Sequence, residues 1–403
     1  MSRDDRLKLG MISTRFSGFD GVSLESAKVA DALQADGHEF TWFAGELGEE
    51  FRPGAVVPEA HFATEENRRL EGAAFSEGWS PGWRDTLLER AADLQRDLAG
   101  FLDDFSVEGV IVQNALAIPM QLPLGVALTN VLAASGIPAV AHHHDFSWER
   151  DRFAVCGVPG VIDVAFPPTM TNLSHLVINQ DARDDLHERK GVEAAVLPNV
   201  MDFATEPPVG DGVAYRQHAE LGTDDIVLLQ PTRVIPRKGI ELTLELAHRL
   251  ADPRIKVVVS HAVDLDPEYW VRLNRLAEDL GVDLRLVSGG TTATDLADVY
   301  AAADLVCFPS RYEGFGNALL EGFYFRRPVF VNRYSVYERD IAPTGVQCVE
   351  SDGAVTDQVV QRAAAWLADP ASAAAAIERN YEIGTARFSY EVVRETFGPL
   401  LTT

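Results

Sequence analysis

The chain has 403 residues, 46% of them hydrophobic, which is too long for a typical single domain and enough for two domains with their own cores. Its formal net charge of -26 at pH 7 excludes a general nucleic-acid or anionic-membrane binder, because both of those partners would be repelled. The three cysteines, Cys156, Cys307 and Cys348, are odd in number and far apart, so we predict neither a disulfide framework nor a Cys-x-x-Cys metal site.

The N-terminus runs directly into an apolar, strand-like segment without the features of a signal peptide. No stretch of the sequence is apolar and uncharged over the length that a membrane-spanning helix requires. Together with the cysteine pattern, these features predict a cytoplasmic protein without stable membrane insertion.

Apolar, strand-like runs alternate with helical patterns along the whole chain, which is typical of parallel α/β domains. In the first half we predict helices over residues 23–36 and 129–134, and strands over residues 7–13, 39–45, 107–113, 138–144, 176–179 and 194–197. The segment 51–83 is less regular, and its role stays open.

A proline- and glycine-bearing break at residues 204–212 predicts a linker near the middle of the chain. After it, we predict strands over 226–230, 255–260, 284–288, 305–309 and 330–332, and helices over 239–250, 267–280, 293–302, 357–368 and 390–400. We therefore predict two Rossmann-like domains, 1–203 and 213–385, that face each other across a cleft, with a last segment 386–403. Such sheets bind ligands at the carboxyl ends of their strands.

The run from Pro309 to Glu321, Pro-Ser-Arg-Tyr-Glu-Gly-Phe-Gly-Asn-Ala-Leu-Leu-Glu, predicts a glycine-containing turn that leads from a strand into a helix. The unpaired N–H groups at the start of such a helix can hold a phosphate. Glu313 lies in the turn, and Glu321 lies about one turn inside the helix. This spacing suits a nucleotide sugar, with hexose hydroxyls beside Glu313, ribose hydroxyls beside Glu321, and the diphosphate at the turn formed by Gly314, Phe315, Gly316 and Asn317.

A cluster of cations follows the strand predicted at 226–230. Arg233, Arg237 and Lys238 stand directly before Gly239 and the next helix, so they predict a second anion site. A glycosyl-transfer enzyme needs positive charge at this position because negative charge develops on the leaving diphosphate.

Three consecutive histidines, His142, His143 and His144, end the strand predicted at 138–144. On an extended chain their side chains alternate between faces, so the three cannot bind one metal ion through this segment alone, and we predict no metal site. The residues that follow are candidates for sugar or acceptor contacts: Trp148 as an apolar platform, and Asp145, Glu149 and Arg150 for hydroxyl or acidic groups.

The loop after the first strand contains Gly18 and Gly21 but does not match G-x-G-x-x-G, and no acidic residue ends the second strand, so NAD binding is disfavoured. A second glycine-rich turn, residues 288–291, follows the strand predicted at 284–288. From its position, we expect Gly289 to lie near the nucleobase.

The E-x7-E spacing of Glu313 and Glu321, together with the R-x4-K-G spacing of Arg233 and Lys238, resembles the signatures of the retaining GT-B-fold glycosyltransferases called GT4. The resemblance implies transfer of a hexose, glucose or mannose, from a UDP- or GDP-type sugar with retention of anomeric configuration. It also implies that the last helix crosses back to the first domain. No D-x-D metal motif is evident in the expected donor region, and the cationic site makes a divalent ion unnecessary, so we predict that no metal or other cofactor is required.

The resemblance also assigns roles to individual residues. Arg233 and Lys238 would grip the diphosphate with Arg237 turned to solvent, and Glu313 and a histidine would orient the hexose. His144 matches that histidine best, with His143 second. Gly21 matches the second glycine of the family's G-G-V loop, which approaches the donor phosphates and the acceptor. The first glycine of that loop is here Asp20, so a purely structural turn is the alternative. Val200 stands where the family's P-N-G segment has glycine.

Three alternatives remain open: a GT-B-type epimerase, a phosphorylase, and a nucleotide-sugar sensor without catalytic activity. An epimerase would need acid and base groups placed for elimination, and a phosphorylase normally needs a pyridoxal-phosphate lysine, for which we find no candidate. The intact pairs of acidic and basic motif residues argue against a sensor. Because the sequence has no basic amphipathic face for docking on lipid, we expect the acceptor to be a soluble small molecule or a glycan.

Overall fold

A computed structural model describes residues 6–18, 20–261, 265–287 and 293–401, with the backbone alone of 293–295. The chain divides into two compact units. The first comprises residues 1–198 and 390–403, and the second comprises residues 199–389. The segment 204–212, where we expected a linker, therefore lies inside the second unit.

The first unit contains a parallel sheet in which seven described strands follow the order β3-β2-β1-β4-β5-β6-β7. The strands are β1 (Lys8–Ile12), β2 (Glu39–Ala44), β3 (Gly54–Val56), β4 (Gly109–Gln113), β5 (Ala139–His143), β6 (Leu173–Val177) and β7 (Ala194–Val196). The helices are α1 (Gly21–Gln34), α2 (Glu65–Ala74), α3 (Pro81–Asp104), α4 (Leu122–Ser135), α5 (Pro159–Ala165), α6 (Gln180–Lys190) and α14 (Tyr390–Leu401). In the β1–β4 pair, Met11 lies opposite Ile111, and both are fully buried.

The longest of these helices, α3, lies where we predicted no element. Its buried residues are Leu87, Ala91, Leu94, Leu98 and Phe101, which recur every three or four positions and form one stripe against the sheet. The remaining positions are mostly polar or charged, so the stripe is narrow and the helix is easily overlooked in the sequence.

The second unit contains a parallel sheet in which six described strands follow the order β10-β9-β8-β11-β12-β13. The strands are β8 (Ile226–Gln230), β9 (Ile255–Val259), β10 (Asp283–Leu286), β11 (Leu305–Phe308), β12 (Val329–Asn332) and β13 (Val349–Ser351). The helices are α7 (Gly212–His218), α8 (Ile240–Leu250), α9 (Pro267–Leu280), α10 (Ala293–Ala301), α11 (Asn317–Tyr324), α12 (Asp357–Ala368) and α13 (Ala374–Arg387).

The segment 204–212 packs onto helix α10, and its glycines make this possible. A Cβ atom at Gly210 would lie 2.0 Å from the carbonyl oxygen of Ala297, and one at Gly212 would lie 2.7 Å from that of Ala301. The glycines that suggested a flexible linker are therefore required for close backbone packing.

Both sheets are entirely parallel in their described strands and flanked by helices, which confirms the predicted α/β class. Each strand order reverses once, between β1 and β4 in the first unit and between β8 and β11 in the second. The carboxyl ends of the strands at such a switch point form the crevice where ligands bind in sheets of this type. No helix in the described ranges has the length and apolar character needed to cross a bilayer.

Candidate functional site

The switch point of the second unit brings together the two loops that carry the predicted donor motifs. One loop follows β8 and holds Arg233, Arg237 and Lys238, and the other follows β11 and holds Glu313. Gly239, in the left-handed region at φ 61°, allows the loops to touch, since a Cβ there would lie 2.3 Å from the carbonyl oxygen of Pro309. The main-chain N–H of Arg311 also donates to the carbonyl oxygen of Arg237, at 2.8 Å.

Glu313, Arg237 and Lys238 form a group of charges that we call the ion triad. The Lys238 ammonium donates to Oε1 of Glu313, and Nη1 of Arg237 donates to Oε2 at 2.7 Å. Glu313 is 6% exposed and Lys238 is 8% exposed, so this carboxylate and this ammonium are held out of bulk water. A buried charge is tolerated only when it is paired in this way.

The electrostatics of the ion triad favour its charged form. Burial alone would raise the pKa of the Glu313 carboxyl, but the charges of Lys238 and Arg237 outweigh that effect and hold the pKa below its ordinary value. Burial lowers the pKa of Lys238, and the Glu313 carboxylate opposes this shift. The half-buried Arg233 adds positive charge close to Lys238.

Arg237 does not turn to solvent, and that prediction is wrong. Its guanidinium is only 36% exposed, and besides Glu313 it contacts the carbonyl oxygen of Tyr312 at 3.0 Å. The R-x4-K-G motif says nothing about the residue before the lysine. The short 3-10 turn over Pro236–Lys238 places both side chains toward the β11 loop.

Helix α11 begins at Asn317 after Gly316, which has φ 126° and no side chain to cap the helix. A Cβ at Gly316 would lie 2.9 Å from the Phe308 ring and from the Tyr334 hydroxyl, so only glycine fits here. Phe315 is 2% exposed and packs against Phe388, so only its main chain can reach a ligand. The first N–H groups of the helix lack intrahelical acceptors, as an anion site requires.

Two residues outside the two donor motifs hold residues of the second donor motif in place. The Tyr300 hydroxyl donates to Oε2 of Glu321 at 2.7 Å, and Tyr300 is fully buried on α10. Nδ2 of Asn199 donates to Oδ1 of Asn317 at 2.7 Å. Sequence reasoning placed Asn199 in the segment that resembles the family's P-N-G run without giving it a contact, and it gave Tyr300 no role, because the contacts join residues that are 118 and 21 positions apart in the chain.

In the first unit, the three histidines at the end of β5 divide between two faces, as the extended chain predicts. The rings of His142 and His144 lie 4.5 Å apart on one face. On the other face, Nε2 of His143 lies 2.9 Å from Nδ1 of His175, and both residues are buried. Among the described residues, no three His, Cys, Asp or Glu side chains are arranged to hold a metal ion. His143, the second candidate for the hexose contact, faces the protein interior.

His144 and Asp145 are positioned by the end of the neighbouring strand β4. Nε2 of His144 lies 2.9 Å from Oε1 of Gln113, which can only accept, so the imidazole carries its proton on Nε2 and has Nδ1 as an acceptor. Burial lowers the pKa of His144, which keeps the ring neutral. Oδ1 of Asn114 accepts from the main-chain N–H of His144 at 3.0 Å, and Nδ2 of Asn114 donates to Asp145 at 2.9 Å. Sequence reasoning missed Gln113 and Asn114, and the signal that could have found them is two amide side chains at the carboxyl end of a buried strand.

Trp148 and Arg150 are already engaged within the protein. Trp148 stacks on Phe146 with ring centroids 4.3 Å apart, and the Arg189 guanidinium lies 5.4 Å from the centre of the same ring. Trp148 is half-buried, and its role as a sugar platform stays a prediction. Arg150 forms an ion pair with Asp145, in which Nε lies 2.6 Å from the carboxylate.

The glycine-containing loop of the first unit ends at Asp20, whose carboxylate caps the start of α1. Asp20 precedes Gly21, the first residue of α1, and its Oδ1 accepts from the N–H groups of Val22 and Ser23 at 3.1 and 3.2 Å. Arg15 contacts the other carboxylate oxygen at 3.1 Å. The substitution of Asp20 for a glycine thus fills the helix N-terminus at which we expected a ligand. Gly289, predicted near the nucleobase, lies outside the described residues.

Three comparisons with known proteins agree with this geometry. A family model described as glycosyl transferases group 1 matches residues 214–383, inside the second unit. The chain is 29% identical to the mannosylglucosylglycerate synthase of Thermotoga maritima, over 96% of this chain and 97% of that protein. It is 27% identical to the protein of the same name from Petrotoga mobilis, over 85% and 86%.

Among solved structures, HepE of Anabaena in complex with UDP and glucose superposes with a TM-score of 0.69, over 98% of this chain and 100% of that one. The identity is 16%, so this likeness shows a shared fold. HepE and the other structural neighbours have the GT-B fold, and the family model and the two bacterial relatives agree on the class of enzyme. The chain therefore has the GT-B fold of these structures, and residues 214–383 match the group 1 glycosyltransferases.

Proposed function

We propose that the chain transfers mannose or glucose, with retention of anomeric configuration, from a GDP- or UDP-activated sugar to a hydroxyl group of a small acceptor. The observation that carries this proposal is the switch point of the second unit. There, Arg233, Lys238 and the start of α11 supply positive charge for a diphosphate, and a buried carboxylate, Glu313, lies directly beside them.

The proposed chemistry uses positioning and charge. The departing diphosphate gains negative charge as the bond to the sugar breaks, and Arg233, Lys238 and the N–H groups of α11 would stabilise it. Glu313 would accept hydrogen bonds from the hexose hydroxyls, and Glu321, held by Tyr300, from the ribose. The leaving diphosphate would take the proton of the acceptor hydroxyl on the same face of the sugar, which retains the configuration.

His144 is the residue of the first unit that we propose for a hexose contact. Its Nε2 is engaged by Gln113, so the neutral ring offers Nδ1 as an acceptor for a sugar hydroxyl. A neutral imidazole suits this role because it adds no second cation beside a sugar that develops positive charge as its bond breaks.

The names of the two bacterial relatives describe a product assembled from mannose, glucose and glycerate. We therefore propose GDP-mannose as the first donor to test and glucosylglycerate as the first acceptor.

The three cysteines are unpaired, which fits a reducing cytoplasm, where nucleotide sugars are available. We propose that the reaction needs no metal ion, since cationic side chains and main-chain N–H groups already lie at the proposed diphosphate site. An unchanged rate in excess EDTA is the expected result.

The test is a matrix of UDP-glucose, UDP-galactose, GDP-mannose and ADP-glucose against glucosylglycerate, glycerate, glucose and no acceptor, with release of nucleoside diphosphate as the signal. We expect one donor to give acceptor-dependent release and an α-linked product by NMR. Donor conversion without acceptor would identify an epimerase instead. Saturable donor binding, seen as a rise in Tm, with no turnover in any combination would identify a sensor.

A further inference from the structure

Each carboxylate oxygen of Glu313 contacts a cation, although one cation would already balance the charge of one carboxylate. Lys238 occupies Oε1 and Arg237 occupies Oε2. The two cations differ in what else they contact. Arg237 is also fixed to the carbonyl oxygen of Tyr312, one residue before Glu313, whereas the Lys238 ammonium has further N–H groups for a ligand.

Binding of a nucleotide sugar changes the surroundings of Lys238. If the proposed function holds, the oxygens of the diphosphate attract the Lys238 ammonium. The attraction between that ammonium and the Glu313 carboxylate then weakens. A buried carboxylate that loses its partner becomes strongly destabilised and tends to move or to take up a proton. Either change would remove the acceptor oxygens that the hexose hydroxyls need.

Resting on the proposed function, we propose that Arg237 is a positioning residue: it keeps the Glu313 carboxylate in place beside the hexose while Lys238 serves the diphosphate. Nη1 of Arg237 donates both to the main-chain carbonyl oxygen of Tyr312 and to Oε2 of Glu313, so it ties the carboxylate to the backbone of its own loop. Arg237 thereby acts on the sugar through another residue and does not itself bind the phosphate.

The experiment compares Arg237→Gln and Arg237→Lys with a matched control, Arg311→Gln. Arg311 lies two residues before Glu313 and is 62% exposed, and its side chain pairs with Glu241 at 3.9 Å. The control therefore removes the same charge from the same region without touching Glu313. Three quantities are measured for each variant: kcat, donor KM, and the affinity for GDP and UDP alone.

We expect Arg237→Gln to lower kcat by about 10- to 100-fold, while the affinity for GDP or UDP alone changes less than about threefold, since neither contains a sugar. Arg237→Lys should recover at least half of the loss on a logarithmic scale, because an ammonium can replace one of the two contacts. Arg311→Gln should stay within about twofold of the wild type in all three quantities.

The dependence of kcat on pH gives a readout that a merely structural role would not move. The groups that face the Glu313 carboxyl are Arg237, Lys238, Ser310 and Tyr334. Removal of the Arg237 charge raises the pKa of Glu313, so the acid limb of the profile should shift to higher pH in Arg237→Gln and stay in place in Arg311→Gln.

Two outcomes would overturn the proposal. A loss of GDP or UDP affinity that accounts for the whole effect would make Arg237 a phosphate ligand, and kcat values equal to those of Arg311→Gln would deny it any role. If Arg237→Gln does not fold, as judged by thermal unfolding, the same comparison is made with Arg237→Met, which also removes the charge and for which a wild-type kcat with an unshifted pH profile overturns the proposal. Absence of transfer by the wild-type enzyme would instead refute the proposed function.

Discussion

The switch points of the two units share one topology but carry different polar groups. In the first unit, the carboxyl ends of β4 and β5 present amides and imidazoles, and burial lowers the pKa of His144 so that the ring is neutral. In the second unit, the loops after β8 and β11 present the ion triad and Arg233. The same sheet edge can thus be built with mainly neutral or with mainly charged side chains.

The difference follows from how each edge is balanced. At the first-unit edge, His144 contacts the Gln113 amide, and the Asp145 carboxylate is paired with Arg150. The cations of the second unit outnumber the one carboxylate in their midst, so this edge keeps positive charge in a chain whose formal net charge is -26. Such a local field attracts an anion to one place while the rest of the surface repels it.

The largest effect is expected from the charged edge. Lys238→Ala should lower kcat by about 10²- to 10³-fold, because it removes a group that stabilises the charge on the leaving diphosphate. Lys256→Ala is the matched control, since Lys256 pairs with Asp225 and Asp283 in the same unit, away from both motif loops. Steady-state kinetics of both variants gives the answer, and equal rates would remove Lys238 from the site.

The ion triad also makes a prediction about stability. Glu313→Ala should lower the free energy of unfolding by about 3–5 kcal/mol, because it leaves a buried ammonium without its carboxylate. Lys238→Ala should cost less, since Arg237 still pairs with Glu313. Urea unfolding of the two variants tests the order, and we would abandon this view of the triad if Lys238→Ala were the less stable of the two.

The free energy of unfolding should fall in acid because of a buried neutral histidine in the first unit. Burial lowers the pKa of His175 to about 4 in the folded state, from 6.5 in the unfolded state. The unfolded chain therefore binds a proton first, and stability, complete above pH 6.5, should fall by about 3 kcal/mol as the pH drops through 6.5 to 4. Urea unfolding between pH 7.5 and 4.5 measures this slope. The variant His175→Gln, which cannot take up the proton, should show a shallower one.

The smallest effect is expected at the hydrogen bond between Tyr300 and Glu321. Tyr300→Phe should raise donor KM by about fivefold with little change in kcat, because loss of one hydrogen bond of about 1 kcal/mol leaves the Glu321 carboxylate less well oriented. Glu321→Ala should weaken donor binding further. Tyr337→Phe is the control, since its buried hydroxyl donates to Glu350 at 2.8 Å in the same unit.

A donor with 2′-deoxyribose sharpens this test. If Glu321 accepts from the ribose, the wild-type enzyme should prefer the ribose donor, and Tyr300→Phe should reduce that preference while Tyr337→Phe leaves it unchanged. An unaltered preference in both variants would place the ribose elsewhere.

Features that arise from neighbouring residues could be predicted from the sequence. Eleven of the thirteen described strands, helices α9 and α12, and the turn before α11 follow from local hydrophobic pattern and glycine position, whereas the short strands β3 and β13 were not predicted. The donor motifs were found for the same reason, since each occupies one loop.

Features that depend on distant partners could not be predicted in this way. Arg237 and Glu313 are 76 positions apart in the chain, and nothing in the R-x4-K-G spacing says which way Arg237 points. Trp148 illustrates the same limit, because its exposure depends on Phe146 and on Arg189 from another helix. The glycines at 210 and 212 were assigned to a linker because their contact with α10 is a tertiary one.

The Asp20 carboxylate caps the start of α1 and occupies two of its main-chain N–H groups. A tethered carboxylate is always present at a high effective concentration, so a dissolved anion would have to compete it away. Exchange of this residue for glycine would expose two main-chain N–H groups at a cost to the helix of a few tenths of a kcal/mol.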